Sequence, residues 1–202
     1  MLDAPIRRLI DPPLNRWGKA LARRGIGADT VTLAGLGLGL LAALLIALGQ
    51  PLAALLPLLA SRLADGLDGA IARATRRTDF GGYLDITADF LFYGAIPLAF
   101  VLADPAAHGA AGAFLIASFY FNGASFLGFA ILAERRGNST TARGLKSFFH
   151  AGGLLEGTET ILFFVMLCLF PGAFSPLALV FGALCFLTGG LRILQARATF
   201  RG

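Results

Sequence analysis

Six apolar stretches, each close to the length of a bilayer crossing, leave this chain few folds to choose from. They run over 31–50, 52–74, 82–104, 106–133, 147–170 and 174–198. A helix needs about 20 apolar residues to cross the hydrocarbon core, and it satisfies every backbone N–H and C=O within its own segment. A β-barrel would need short alternating segments, and these runs are long and continuous. Turn signals end them: Gly49-Gln50-Pro51, Asp104-Pro105, Gly137-Asn138-Ser139 and Pro171-Gly172, with Ser175-Pro176 just beyond. At 56% hydrophobic and 14% charged residues over 202 positions, the composition excludes an ordinary soluble domain. The expectation is an all-α integral membrane protein, one domain over 1–202, with a six-transmembrane-helix bundle over 31–198.

Lys and Arg placement sets the orientation. Arg7, Arg8, Arg16, Lys19, Arg23 and Arg24 precede the first span. Arg73, Arg76 and Arg77 fill the second-to-third connection, Arg135, Arg136, Arg143 and Lys146 the fourth-to-fifth, and Arg197 and Arg201 the end. The alternate connections around 49–53, 104–109 and 171–176 carry none. A multi-pass protein of the cell inner membrane follows, with both termini facing the cytoplasm. The net charge of +5 is accounted for by this topology and by attraction to anionic lipid headgroups, so no nucleic-acid partner is expected. Residues 1–24 are mixed and basic, unlike a cleavable signal peptide. Within segment 1–27, Leu2, Ile6, Leu9, Leu14, Trp17, Leu21 and Ile26 are interleaved with the basic residues. That fits an interfacial amphipathic helix interrupted at Pro12-Pro13, or a basic flank that only sets orientation. Cys168 and Cys185 fall inside spans and read as small buried apolar residues.

Against this apolar background stand Asp65, Asp68, Asp85 and Asp89. Carboxylates inside a membrane are costly and mark functional cavities. Spacings of three and four residues put each pair on one helical face. Antiparallel neighbours joined by a short turn bring the two pairs to similar depth, at the cytoplasmic side. Four carboxylates remain ionised together only beside compensating positive charge, and an all-oxygen donor set favours Mg²⁺ or Mn²⁺. Gly66, Gly69, Ala70 and Ala72 remove bulk beside the carboxylates, as do Gly81 and Gly82 at the head of the third span, so a nucleotide diphosphate can approach the backbone. Gly35, Gly37 and Gly39 have no polar partner in sequence and read as close-packing glycines.

The order Asp65-x-x-Asp68-Gly69-x-x-Ala72-Arg73, seven residues, then Gly81-x-x-x-Asp85-x-x-x-Asp89 resembles the signature of the CDP-alcohol phosphatidyltransferases. Eight positions match over 25 residues, and the six-span layout extends the likeness to most of the chain. The Arg-to-Gly spacer is at the short end of the family's range. The entry to the first span, Gly27-Ala28-Asp29-Thr30-Val31-Thr32, lacks the Pro-Asn that relatives often have ahead of the Thr. The resemblance implies transfer of a phosphatidyl or other substituted phosphoryl group from a CDP-linked donor, most simply CDP-diacylglycerol, to an alcohol, with release of CMP. It implies two metal ions on Asp65, Asp68 and Asp85, with Asp89 beside them as general base. Asp65, Asp68, Gly69, Ala72, Arg73, Gly81 and Gly82 would border the nucleotide, and the enzyme would be a homodimer.

The motif does not name the acceptor. Glu156 and Glu159 share a face with Thr160 deep in an apolar run. They either pair structurally with Arg62, Arg143 or Arg192, or bound an acceptor pocket for an amine or polyol. Arg143, Lys146 and Arg192 would instead hold a phosphate on the acceptor. His108 reads as solvated and His150 as packed or at the lipid interface. Ser118, Asn122 and Ser125 read as interhelical hydrogen-bonding groups. Tyr93 and Tyr120 either join them or sit near the acyl chains. The rival readings are a transporter or scaffold without catalysis, and a Mg²⁺-dependent intramembrane prenyltransferase.

Overall fold

The computed structural model describes residues 3–136, 155 and 157–200, and they are helical almost throughout. Among these described residues seven α-helices follow one another: α1 Asp3–Arg23, α2 Ala28–Ala47, α3 Pro51–Ala74, α4 Asp79–Ala103, α5 Pro105–Arg135, α6 Gly157–Leu169 and α7 Phe174–Thr199, with a 3₁₀ turn at Pro171–Ala173 before the last. The turn chemistry read from sequence fixes the ends. Gly49 takes φ +75° to close α2, Pro51 and Pro105 sit in the first turns of α3 and α5, and Asp104 accepts from the Ala107 N–H. Among the described residues four helices, α2, α4, α5 and α7 with its 3₁₀ turn, are long and apolar enough to cross a membrane. Helix α3 has 24 residues, about 36 Å at 1.5 Å per residue, but carries Arg62, Asp65, Asp68 and Arg73.

α2 lies between α3 and α4, α1 packs on α3, and α5 packs along α7, with α4–α5 and α3–α6 contacts joining the two groups. α5 and α7 run parallel. Ser175 Oγ donates to the Ala107 carbonyl at one end, and Arg136 Nη2 donates to the Phe200 carbonyl at the other. One apolar core runs through the bundle: Ile46 of α2, Leu58 of α3, Phe92, Ile96 and Phe100 of α4, Leu115 of α5, Phe164 and Leu167 of α6, and Phe174 and Phe181 of α7. The outside is equally apolar, with Leu40, Leu56, Leu91, Leu102, Val180 and Leu187 exposed. This is the inverse of a soluble bundle and suits a lipid surround.

Small residues set how closely the helices approach. A Cβ on Gly39 would lie 2.6 Å from a Phe92 ring carbon, and one on Gly35 would lie 3.0 Å from Ala64 Cβ. Gly37 departs from the expectation: a Cβ there meets nothing within 4 Å, because two residues along a helix is more than half a turn away from the packed face.

Three further expectations are corrected. α1 runs unbroken through Pro12 and Pro13. The carbonyls these prolines leave unbonded belong to Arg8 and Leu9, which are exposed and open to water, so no break is needed. His108 is half-buried rather than solvated, with Nδ1 3.2 Å from Ser175 Oγ and its ring 4.7 Å from that of Phe174. Gly66 and Ala70 face α1, not a ligand: a Cβ on Gly66 would meet Leu14, and Ala70 packs on Gly18. Cys168 and Cys185 are buried free thiols, as read from sequence.

Candidate active site at the α2–α3–α4 junction

Thr78 caps α4 by accepting from the Gly81 N–H, and only residues 75–78 separate α3 from α4. Asp65 and Asp68 near the end of α3 therefore stand level with Asp85 and Asp89 near the start of α4. One carboxylate oxygen from each of Asp65, Asp85 and Asp89 lies within 4.8 Å of the others. Two oxygens on opposite sides of one Mg²⁺ are about 4.2 Å apart at ligand distances of about 2.1 Å, so this set is near the spacing one ion requires.

Asp68 is outside that trio. Its Oδ2 accepts from the Thr32 hydroxyl of α2 at 2.6 Å, and both residues are buried. With Asp65 of the trio, Asp68 lines a cavity bounded also by Thr32, Gly35, Leu36, Ser61, Arg62 and Ala88. Thr32→Val is expected to lower the stability of the purified protein by about 1.5–3 kcal/mol, the usual worth of a hydrogen bond to a charged group. An unchanged melting temperature would mean that Asp68 finds another donor without loss.

Among the described residues, Arg62 of α3 is a cation at this cluster that the motif did not point to. In sequence Arg62 is one of three arginines, with Arg143 and Arg192, that could pair with Glu156 or Glu159. Its Nη1 donates to Asp89 Oδ1 at 2.8 Å and lies 3.6 Å from Asp65 Oδ1. Its Nη2 donates to Ser61 Oγ at 3.2 Å, and its guanidinium carbon is 3.9 Å from the Phe92 ring centre. The i, i+3 spacing from Arg62 to Asp65 was the available signal.

The expected nucleotide-bordering residues divide by helix face. Gly69 is open except for Arg73 Nη1, 3.3 Å from where its Cβ would be, and Gly82 has nothing within 4 Å. Ala72 is half-buried near the end of α3. Arg73 reaches back to α1, with Nη2 donating to Asn15 Oδ1 at 2.9 Å. Gly81 is flanked by Thr78 Oγ1 and Asp29 Oδ1, each about 3 Å from a Cβ placed there. Asp29, where relatives often carry Pro-Asn nearby, thus sits beside the motif glycine.

Of the acceptor residues, Arg143, Lys146 and Glu156 lie outside the described residues, as does His150. Glu159 is half-buried in the first turn of α6. That helix begins against Tyr93, whose hydroxyl is 3.6 Å from a Cβ on Gly157, one turn along α4 from Asp89. Arg192 is buried and held by α5: Nη1 donates to Asn122 Oδ1 at 2.8 Å and to Ser125 Oγ at 2.7 Å. Asn122 and Ser125 are therefore interhelical groups as expected; Ser118 donates to the Leu115 carbonyl of its own helix and also hydrogen-bonds with the side chain of Cys185 on α7.

A family model of CDP-alcohol phosphatidyltransferases matches residues 26–190. The chain belongs to this family. It is accordingly a phosphotransferase of phospholipid synthesis that draws on a CDP-linked alcohol, and the transporter, scaffold and prenyltransferase readings fall away. The inner membrane protein YnjF of Escherichia coli is 46% identical over 201 residues, covering 100% of this chain and 98% of that one. The archaetidylinositol phosphate synthase of Pyrococcus horikoshii is 41% identical over 87 residues, 43% of this chain and 46% of its own. The fold is similar to that of Mycobacterium tuberculosis phosphatidylinositol phosphate synthase, PgsA1, crystallised with CDP-DAG bound. The TM-score is 0.66 at 22% identity, over 91% of this chain and 93% of that one.

Proposed function

We propose that this enzyme transfers a phosphatidyl group from CDP-diacylglycerol to an alcohol, releasing CMP, at the cytoplasmic face of the inner membrane. The observation that carries the reading is the convergence of Asp65, Asp85 and Asp89 beside Asp68. The inner-membrane location is supported by the name of the Escherichia coli relative and the donor by the ligand of the PgsA1 crystal structure. In this reading α3 and α6 also cross the bilayer, giving six spans. α1 lies at the interface with Trp17 exposed, the whole chain is one domain, and the enzyme works as a homodimer.

Asp65, Asp68, Asp85 and Asp89 would hold two Mg²⁺ or Mn²⁺ ions, hard cations suited to an all-carboxylate oxygen set. Bound there, the ions supply charge stabilisation for the diphosphate and for CMP as it leaves. The remaining work belongs to side chains of the protein. Gly69, Ala72, Gly81 and Gly82 leave room for the cytidine nucleotide, and Arg73, anchored by Asn15, borders it. Asp89 takes the proton of the acceptor hydroxyl as that oxygen bonds to the phosphorus farther from cytidine and the bond from that phosphorus to CMP breaks. Glu159 and Arg192, with Arg143, Lys146 and Glu156, bound the acceptor side.

The test is CMP release by detergent-purified protein with Mg²⁺ and CDP-diacylglycerol. The acceptors are inositol phosphate, inositol, glycerol 3-phosphate, serine, choline and ethanolamine. Inositol phosphate comes first because the product names of two relatives contain it. CMP appearing with one acceptor supports the reading and names the alcohol. CMP appearing with none, while CDP still binds in a Mg²⁺-dependent way, overturns the choice of donor or acceptor but keeps the site. Asp68→Ala is expected to weaken Mg²⁺-dependent CDP binding by at least about tenfold, the loss that accompanies removal of one charge-assisted contact. Equal binding by that variant would remove Asp68 from the site.

A further inference from the structure

Arg62 is placed unlike an ordinary structural arginine. It belongs to α3, one turn before Asp65, and its side chain is 9% exposed. A single nitrogen, Nη1, faces two of the three clustered carboxylates, at 2.8 Å from Asp89 Oδ1 and 3.6 Å from Asp65 Oδ1. The ring of fully buried Phe92 has its centre 3.9 Å from the guanidinium carbon, within cation–π distance. The Nε–H is buried and has no hydrogen-bond partner among the described residues. The guanidinium is therefore held by charge and its contact with the Phe92 ring more than by a full set of donated bonds, and its Nε–H remains an unused donor.

We infer that Arg62 is a built-in counter-cation of the carboxylate cluster. It holds Asp65 and Asp89 together when no divalent ion is present and competes with the ion for them. The inference rests on the proposed reading of these aspartates as a divalent-cation site. The physical reason is charge balance. Aspartates this close in a nonpolar surround repel one another, and one positive charge between two of them relieves the repulsion at its strongest point. A divalent ion entering among the same oxygens meets that positive charge and must displace it from Asp89, Asp65 or both. Arg62 thus acts as a positioning residue. It keeps the cluster assembled between turnovers and keeps the affinity for metal low enough to be adjustable.

The experiment uses full-length protein in detergent at pH 8, stripped of metal and titrated calorimetrically with Mn²⁺, with melting temperature read before and after the metal. Arg62→Gln keeps a hydrogen-bonding group but removes the charge, and Arg62→Lys keeps the charge. The glutamine variant is expected to melt lower than wild type without metal and to recover in saturating Mn²⁺. It should bind Mn²⁺ at least about tenfold more tightly, a lower bound for removing one unit charge about 4 Å from a divalent ion even at the dielectric of water. The lysine variant should stay near wild type in both readings. A loss of packing alone would lower the melting temperature equally with and without metal and would not tighten Mn²⁺ binding. Wild type that binds Mn²⁺, with Arg62→Gln binding equally or more weakly, overturns the role of Arg62 alone. Wild type that binds no Mn²⁺ overturns the metal reading of the site and takes this inference with it.

Discussion

Asp89→Asn is expected to lower turnover by about 10²–10⁴-fold, the range typical of losing a positioned general base, while CDP binding changes little. The substitution is unusually clean here. The asparagine amide oxygen can still accept from Arg62 Nη1, now 2.8 Å from Asp89 Oδ1, so the side chain keeps its anchor. The capacity to take a proton is lost. Asp65 and Asp85 remain in place to meet the diphosphate, which is why nucleotide binding and catalysis should separate. Initial rates of CMP release at saturating donor, beside equilibrium CDP binding in Mg²⁺, make the comparison. A variant within threefold of wild type in turnover would remove Asp89 as the base. A variant that lost CDP binding as well would place Asp89 among the groups that hold the nucleotide.

Gly39→Ala is expected to produce the largest change of any single methyl group in α2, a destabilisation of about 1–3 kcal/mol from overpacking. The new Cβ would lie 2.6 Å from Phe92 Cδ2 and 3.0 Å from Ser61 Oγ. Neither neighbour can easily retreat. Phe92 is fully buried, with the rings of Tyr93 and Phe164 packed edge-on at 5.7 and 5.8 Å, and Ser61 is fully buried as well. Phe92 also carries the Arg62 guanidinium at 3.9 Å, so its displacement should reach Asp89 and lower turnover along with stability. Gly37→Ala is the matched control. The same methyl two residues away meets nothing within 4 Å, and replacing glycine in a helix is itself favourable by up to about 1 kcal/mol. Thermal melting of the two variants in one detergent distinguishes them. Equal melting temperatures would mean that α2 and α4 can separate slightly without loss.

The sequence by itself determined the helices and that aspartates of α3 and α4 come together. The stretches read at 31–50, 82–104 and 174–198 correspond to Ala28–Ala47, Asp79–Ala103 and Phe174–Thr199. Length, apolarity and Gly or Pro at the ends are local properties that need no neighbour. The trio of Asp65, Asp85 and Asp89 was likewise legible, because i, i+3 and i, i+4 spacing and a short turn leave two antiparallel helices little freedom. What covers each face was not legible. Gly66 and Asp65 are adjacent in sequence, yet one meets Leu14 of α1 and the other lines the cavity with Arg62. Thr32 was one polar residue in an apolar run until α3 brought Asp68 to it from 36 residues away. Arg62 had several carboxylates within sequence reach, and the rotation of α3 against α4 gave it Asp89. A helical period fixes which residues share a face, but the partner of that face follows from how helices pack around a common core. Only the tertiary structure decided that.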